Sequence, residues 1–376
     1  MYYISRITGA IVLIALGFAV WFSIVLARAD FYFRTGRVER AMEIAPRNTE
    51  YLAQRALQVD YEGGNSRALT EKIAALNPYA SAPRIRLGLA AEVSGDSENA
   101  ERWLLDAARV DHQFEPRWTL ANFYFRANNK EEFWKWMRAA LDVSYGDRTP
   151  AYELCWRVSD DAGEILRRAI PDRHEVMGSY LVYLSQTKRL RAVPEVALRL
   201  AAFHDEADLP LLFGADDQLL LAGDAAALDV WLSTGQSAPI GIFNGDFDTV
   251  PLNHGFDWRL IESPGVTHGS SNRIALSGQE GEACSLLQQT LIVSSGKRYK
   301  LQWESRTSGI KSPSGLEWHF AGQRAPLLPG EDWTPGELAF TAKERFGLLE
   351  LAYQRPVGEA RAEGNVELRH IRLVAL

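Results

Sequence analysis

The sequence predicts a multidomain α + β protein: an N-terminal transmembrane helix, an α-solenoid of helical hairpins and a C-terminal β-sandwich. Three observations predict it. The run "ITGAIVLIALGFAVWFSIVLA", Ile7 to Ala27, contains no charged residue. Pro83, Pro116 and Pro150 recur at intervals of 33 and 34 residues, each beside the start of a helical pattern. Beyond Ile240, apolar residues alternate with polar ones between Gly-, Pro-, Asn- and Asp-rich turns, and the helical spacing stops. The expected divisions are an anchor over 1–29, clear repeats over 30–149, degenerate helical repeats over 150–236 and the sandwich over 237–376.

At ~1.5 Å per residue the apolar run forms a helix roughly 31 Å long, which matches the hydrocarbon thickness of a bilayer. Tyr2, Tyr3 and Trp21 suit the membrane interface. "ARA" at 27–29 would fit a signal-peptidase site, but a signal peptide has an apolar region of only ~7–15 residues. The run is therefore taken as an uncleaved single-span anchor in the inner (plasma) membrane, with the soluble part periplasmic or extracytoplasmic. Arg28, Arg34, Arg37 and Arg40 follow the span and, counted by the positive-inside rule, favour the opposite orientation; the conflict stays open at the level of sequence.

The formal net charge of −7 leaves no basic field for nucleic acid. The two cysteines, Cys155 and Cys284, read as unpaired small hydrophobes.

Between the prolines, "APRIRLGLAAEVSGDSENAERWLLDAARVD" aligns with "EPRWTLANFYFRANNKEEFWKWMRAALDVS". Leu87, Gly88, Ala91, Ala100, Leu104 and Ala107 match Leu120, Ala121, Tyr124, Phe133, Met137 and Ala140. Small residues at matched places let two antiparallel helices approach, and the large ones fill the gaps between hairpins. The Leu-Gly pair, the alanines and the period resemble the tetratricopeptide repeat. Residues 48–77 form a weaker copy ending in "LNPYA", and 150–236 continue as helix, short polar turn, helix, with Gly223 at the last turn. The resemblance implies a solenoid that binds a protein partner, here one in the membrane.

In the β-region, "LLQQTLIVSSGKRYKLQWESRT" gives two strands joined at Ser295-Gly296. Leu287, Gln289, Leu291 and Val293 share one face of the first; Tyr299, Leu301 and Trp303 share one face of the second. Strands also follow in "GLEWHF", "GLLELAY" and "VELRHIRLVAL". The opening "NGDF", then "GFDWRL", the strand pair and the closing "VELRHIRL" resemble the jelly-roll carbohydrate-binding modules of galactose-binding-like fold. There the first strand reads Asn-Gly-(Asp)-Phe and the last strand returns beside it. Arg369 and His370 stand where such modules often carry acidic residues, so no structural calcium is expected, and no cofactor either.

If Tyr299, Leu301 and Trp303 face the core, Gln302, Glu304 and Arg306 face away from it, with Gln288 on the preceding strand and Glu317 and His319 on "GLEWHF". Gln, Glu, Arg and His together offer the donors and acceptors that sugar hydroxyls need, and Trp258 and Trp333 are candidate aromatic platforms. An ordinary solvated sheet face gives the same alternation, and most tryptophans are core. Asp246, Asp248 and Asp257 cluster on a turn-rich stretch, where Asp mostly forms turns. No nucleophile elbow, phosphate loop or metal-ligand spacing occurs. A non-catalytic accessory protein is expected, resembling components of bacterial envelope polysaccharide assembly, with a polysaccharide on the sandwich; a pure protein-interaction scaffold is the alternative.

Overall fold

The computed structural model describes the backbone of residues 2–269 and 272–376, and the side chains of 11–269 and 272–376. Tyr2 and Tyr3, expected at the membrane interface, lie outside the described side chains. The chain divides into two compact units, one ending at Pro171 and one spanning Asp172–Leu376.

The first unit begins with α1 (Tyr2–Arg34). Within Ile11–Arg34 an apolar window has mean hydropathy 2.3 and is unburied, so the helix is long and apolar enough to cross a membrane. Helices α2 (Val38–Ile44), α3 (Thr49–Tyr61), α4 (Arg67–Leu76), α5 (Ala82–Val93), α6 (Ser97–Val110), α7 (Phe114–Arg126), α8 (Lys130–Asp142), α9 (Thr149–Val158) and α10 (Ala162–Arg168) follow. The two aligned segments are the hairpins α5–α6 and α7–α8. Pro83 and Pro150 occupy one of the first two positions of α5 and α9, where a missing N–H costs nothing.

Each hairpin turn is built by the same device. Gly95 in one and Asn128 in the other take positive φ (82° and 54°), and the next residue caps the second helix. Asp96 accepts a hydrogen bond from the N–H of Asn99, and Asn129 accepts one from Glu132. The small residues act as expected: a Cβ on Gly88 would lie 2.7 Å from the Leu104 side chain. Between equivalent helices of successive hairpins, Arg126 forks onto the Glu92 carboxylate at 2.6 and 2.8 Å.

The second unit begins with α11 (His174–Gln186), α12 (Val193–Ala201), α13 (Leu209–Leu221) and α14 (Ala227–Ser233), and its strands form two antiparallel five-stranded sheets. The strands are β1 (Arg259–Leu260), β2 (Val266–His268), β3 (Arg273–Ser277), β4 (Ala283–Ile292), β5 (Arg298–Ser308), β6 (Leu316–Phe320), β7 (Gln323–Pro326), β8 (Thr334–Thr341), β9 (Phe346–Gln354) and β10 (Glu363–Ala375). One sheet runs β1-β4-β9-β6-β7 and the other β2-β3-β10-β5-β8. Their inner faces enclose Trp258, Trp303 and Trp318, whose ring centroids lie about 6 Å apart, and Phe247 stacks on Trp258 at 5.5 Å.

Two expectations need correction. The turn at Ser295-Gly296 does not close a hairpin, because β4 and β5 belong to different sheets. Its backbone bonds instead to the β8–β9 connection, with Gly296 N donating to Ala342 O and Ala342 N to Lys297 O. The chain therefore turns a corner there. Second, "NGDF" is not the strand that the resemblance implies: Asn244-Gly245 makes a tight turn, with Phe247 N donating to Asn244 O, and Phe247 anchors it in the core. It still lies beside the last strand: Ile371 N donates to Gly245 O, and a side chain on Gly245 would overlap the Ile371 carbonyl. Asn244 and Phe247 hold positive φ there (51° and 56°).

Within the second unit, α13 and α14 are packed onto the sandwich. Trp231 of α14 is fully buried, meets Phe243 and Phe256 edge-on at 5.3 and 5.8 Å, and donates from Nε1 to Ser237 O. Asp217 of α13 accepts from Gly255 N at 2.7 Å and from Arg259 of β1 at 2.6 Å. Gly255, at φ +58°, is required at this seam, since a Cβ would overlap both the Trp231 ring and the Asp216 carboxylate.

Candidate functional site

The sandwich presents two polar outer faces, and the residues singled out by alternation divide between them. On the β1-β4-β9-β6-β7 sheet, cross-strand pairing sets Arg259 opposite Gln288, Gln288 opposite Glu350, Glu350 opposite His319, and His319 opposite Arg324. This single row crosses all five strands. Within it Gln288 Nε2 donates to Glu350 Oε1 at 3.2 Å, while His319 stands between two carboxylates, Glu317 at 3.2 Å and Glu350 at 3.6 Å. The side chains of Glu317, His319 and Glu350 are only 25–32% exposed, so the row is partly sheltered.

On the β2-β3-β10-β5-β8 sheet, Glu304 and Arg306 of β5 face Arg369 and Glu367 of β10. Arg306 pairs with Glu367 at 2.6 Å and Arg369 with Glu304 at 2.6 Å. Both guanidinium groups lie over Trp333, with Cζ 4.9 and 4.1 Å from the ring centroid. Lys300 pairs with Glu337 nearby, and Gln302 is exposed on the same face. The charges here are partnered, as on the first face, where Arg259 pairs with Asp217 and Arg324 with Glu317, and the Trp333 ring is covered by arginines.

The expected group of Gln288, Gln302, Glu304, Arg306, Glu317 and His319 is thus two groups on opposite sides of the sandwich. Trp258 belongs to neither. It is fully buried in the core, its Nε1 donating to Asn244 O. Arg259, Arg324 and Glu350 join the first face and were not singled out from sequence, although Glu350 has the outward parity of "GLLELAY".

Two of the three aspartates of the opening stretch, Asp246 and Asp257, are structural, and Asp248 is exposed. Asp257 accepts from Leu252 N at 2.8 Å and Trp258 N at 2.7 Å, but burial dominates and holds its carboxyl above the usual range. Asp246 accepts from His370 N at 2.8 Å, with the His370 ring at 2.6 Å and Arg372 at 3.7 Å. Burial works to raise Asp246, yet those contacts hold it below the usual carboxylate range. His370 takes positive φ (54°) at the bulge in β10 between Arg369 and Arg372. Asp246 is therefore committed to a histidine and an arginine, a poor donor set for calcium.

No known family profile matches the sequence, and no curated protein does. Among solved structures, the chain is similar to one described as "CBM4 structure and function", at 11% identity and a TM-score of 0.29, over 36% of this chain and 99% of that one. It is also similar to YrrB, "a TPR protein with an unusual peptide-binding site", at 11% identity and a TM-score of 0.26, over 52% and 90% of the two chains. A third is the C-terminal part of a TPR repeat-containing protein from Cytophaga hutchinsonii, at 13% identity and a TM-score of 0.28, over 56% and 93%.

Proposed function

We propose that this chain is a membrane-anchored, non-catalytic scaffold whose sandwich holds a glycan on the outer face of the β1-β4-β9-β6-β7 sheet. The observation that carries this reading is the continuous row Arg259–Gln288–Glu350–His319–Arg324, with Glu317 beside it. A sugar hydroxyl both donates and accepts, and the row alternates groups of both kinds across five strands. Each such bond adds only about 0.5–1.5 kcal/mol net, so affinity on the order of micromolar to millimolar is expected. A panel of envelope polysaccharides titrated into the full-length protein in detergent tests it. Glu350→Ala and His319→Ala, neither in the core, are expected to weaken binding at least about tenfold with the fold intact. Absence of any ligand, or a ligand indifferent to both changes, would overturn it.

The anchor, the repeats and such a module together suit an accessory role in bacterial envelope or exopolysaccharide assembly, with the soluble part outside the cytoplasm. The arginines that oppose this orientation are partly engaged in folded structure: Arg34 pairs with Asp30 at 2.8 Å, and Arg40 of α2 lies over the Tyr32 ring at 5.9 Å. The protein should remain in the membrane fraction after a carbonate wash. A soluble product beginning near Asp30 would show α1 to be a cleaved signal sequence.

A specific observation also favours the pure protein-interaction reading. The first helices of two hairpins, α3 and α5, each expose an apolar pair at i, i+4 spacing: Leu57 with Tyr61, and Leu89 with Val93. These side chains suit a protein partner docked on the repeats.

A further inference from the structure

We propose that the second unit contains a divalent transition-metal site formed by His174, Asp205 and Asp208. The sequence gives no hint of it, because the histidine and the aspartates are 31 and 34 residues apart. Folding brings the start of α11 against the 3-10 turn that leads into α13. One potential ligand atom from each residue then lies within 4.8 Å of the other two.

The state of Asp208 is what points to a ligand. Asp208 is only 7% exposed, and its Oδ2 is buried without a hydrogen-bond partner among the described residues. It is the last residue of the 3-10 turn that runs directly into α13, a turn that Asp205 rather than Asp208 caps. Such a carboxylate is relieved by a proton, as at Asp216, or by a cation, and here a histidine and a second carboxylate stand beside it to complete a cation site.

The two other residues are already set up to complete the site. Asp205 is fixed by Ala207 N, which donates to its Oδ1 at 2.9 Å, and its Oδ2 lies 3.7 Å from His174 Nδ1. On the other side of the ring, Nε2 lies 3.3 Å from the Glu175 carboxylate. A metal on Nδ1 would leave the Nε2 proton to the Glu175 carboxylate, as in carboxylate–histidine–metal arrangements. Imidazole nitrogen with two carboxylate oxygens favours zinc or a neighbouring first-row metal over calcium or magnesium, which take oxygen ligands. Around zinc, ligand atoms at ~2.0–2.2 Å stand ~3.3–3.6 Å apart, so closure by about 1 Å through side-chain rotation completes three ligands, with water as the fourth.

The test uses untagged, full-length protein in detergent, stripped by chelator and titrated calorimetrically with Zn²⁺ alone, with Co²⁺ absorption as a second readout. One ion per chain is expected, with a rise in the melting temperature of the unit and a cobalt spectrum typical of low coordination number. His174→Gln and Asp208→Asn should each reduce affinity about 100-fold or more. Asp208→Asn serves as the internal control on folding: without metal it should be at least as stable as the parent, because it removes an unpartnered buried carboxylate, yet it should gain nothing from zinc. No zinc binding by the parent overturns the site, and so does binding that survives both substitutions. A His174 that acts as an imidazolium counter-ion instead would show zinc without effect and stability lost in metal-free His174→Gln at low pH, which also overturns it.

Discussion

Trp231→Ala is expected to destabilise the whole Asp172–Leu376 unit by roughly 3–5 kcal/mol, sandwich included. The ring is fully buried, and it fills the space between α14, Phe243 and Phe256. Its removal opens a cavity on both sides of the seam and strands the Ser237 carbonyl that Nε1 now bonds. Hydrogen exchange followed by mass spectrometry reads the result directly. Amides of α13–α14 and of β4, β6 and β9 should lose protection together, since they open as one cooperative unit. Protection kept in the strands while the helices open would show that the sandwich folds on its own from near residue 237. For the same reason a fragment beginning at 237 is expected to be less soluble than one beginning at 172, because it exposes Phe256 and Gly255 where Trp231 now covers them.

Asp216→Asn is expected to abolish a fall in stability between pH 5 and pH 9. Asp216 is fully buried, neither carboxylate oxygen has a hydrogen-bond partner among the described residues, and Gly255 packs directly on it. Burial, with the neighbouring Asp217 charge and against the pull of Arg259, pushes its carboxyl up to about 8. In the unfolded chain the same group ionises near ~3.9. Between those two values the folded state thus holds a proton that the unfolded state has released, and stability must decline as pH rises from one to the other. The contribution is fully present below about pH 4 and is lost by about pH 8, on the order of a few kcal/mol in total. Denaturant titrations of the parent at pH 5, 7 and 9 should show the decline, and the Asn variant should show a flatter profile. A parent whose stability is level, or rises, across this range would mean that a solvent or cation reaches the carboxylate.

Much of this architecture was legible in the sequence because its signals are local. Pro83, Pro116 and Pro150 mark equivalent helix starts, and Gly88 and Ala121 sit where two helices must approach, so the hairpins could be aligned before any contact was known. Alternation likewise placed Leu301 and Trp303 inside the sandwich and Gln302, Glu304 and Arg306 outside it. Parity, however, reports only which side of its own strand a residue occupies. Which sheet the strand joins depends on non-local pairing, here β4 with β9 and β5 with β10. Gln288 and Gln302 therefore had the same sequence signature and lie on opposite faces.

The seam was hidden for a related reason. Asp216, Asp217 and Trp231 each read as residues of helices, and Gly255 as a turn former; their shared role exists only once α13 meets β1. His174, Asp205 and Asp208 are a further case, with no spacing that links the start of α11 to the turn that follows α12.

The proposed glycan face is tested most directly by comparing the two sides of the sandwich in one binding assay. Full-length parent, Glu350→Ala and Arg306→Ala are titrated with the same envelope polysaccharide, and folding of each is checked by thermal unfolding. Glu350→Ala should lose binding while Arg306→Ala keeps it, because Glu350 sits at the centre of the five-strand row and Arg306 is engaged with Glu367 and Trp333 on the other sheet. Binding that is lost with Arg306 and kept without Glu350 would contradict this assignment and move the site to the opposite face.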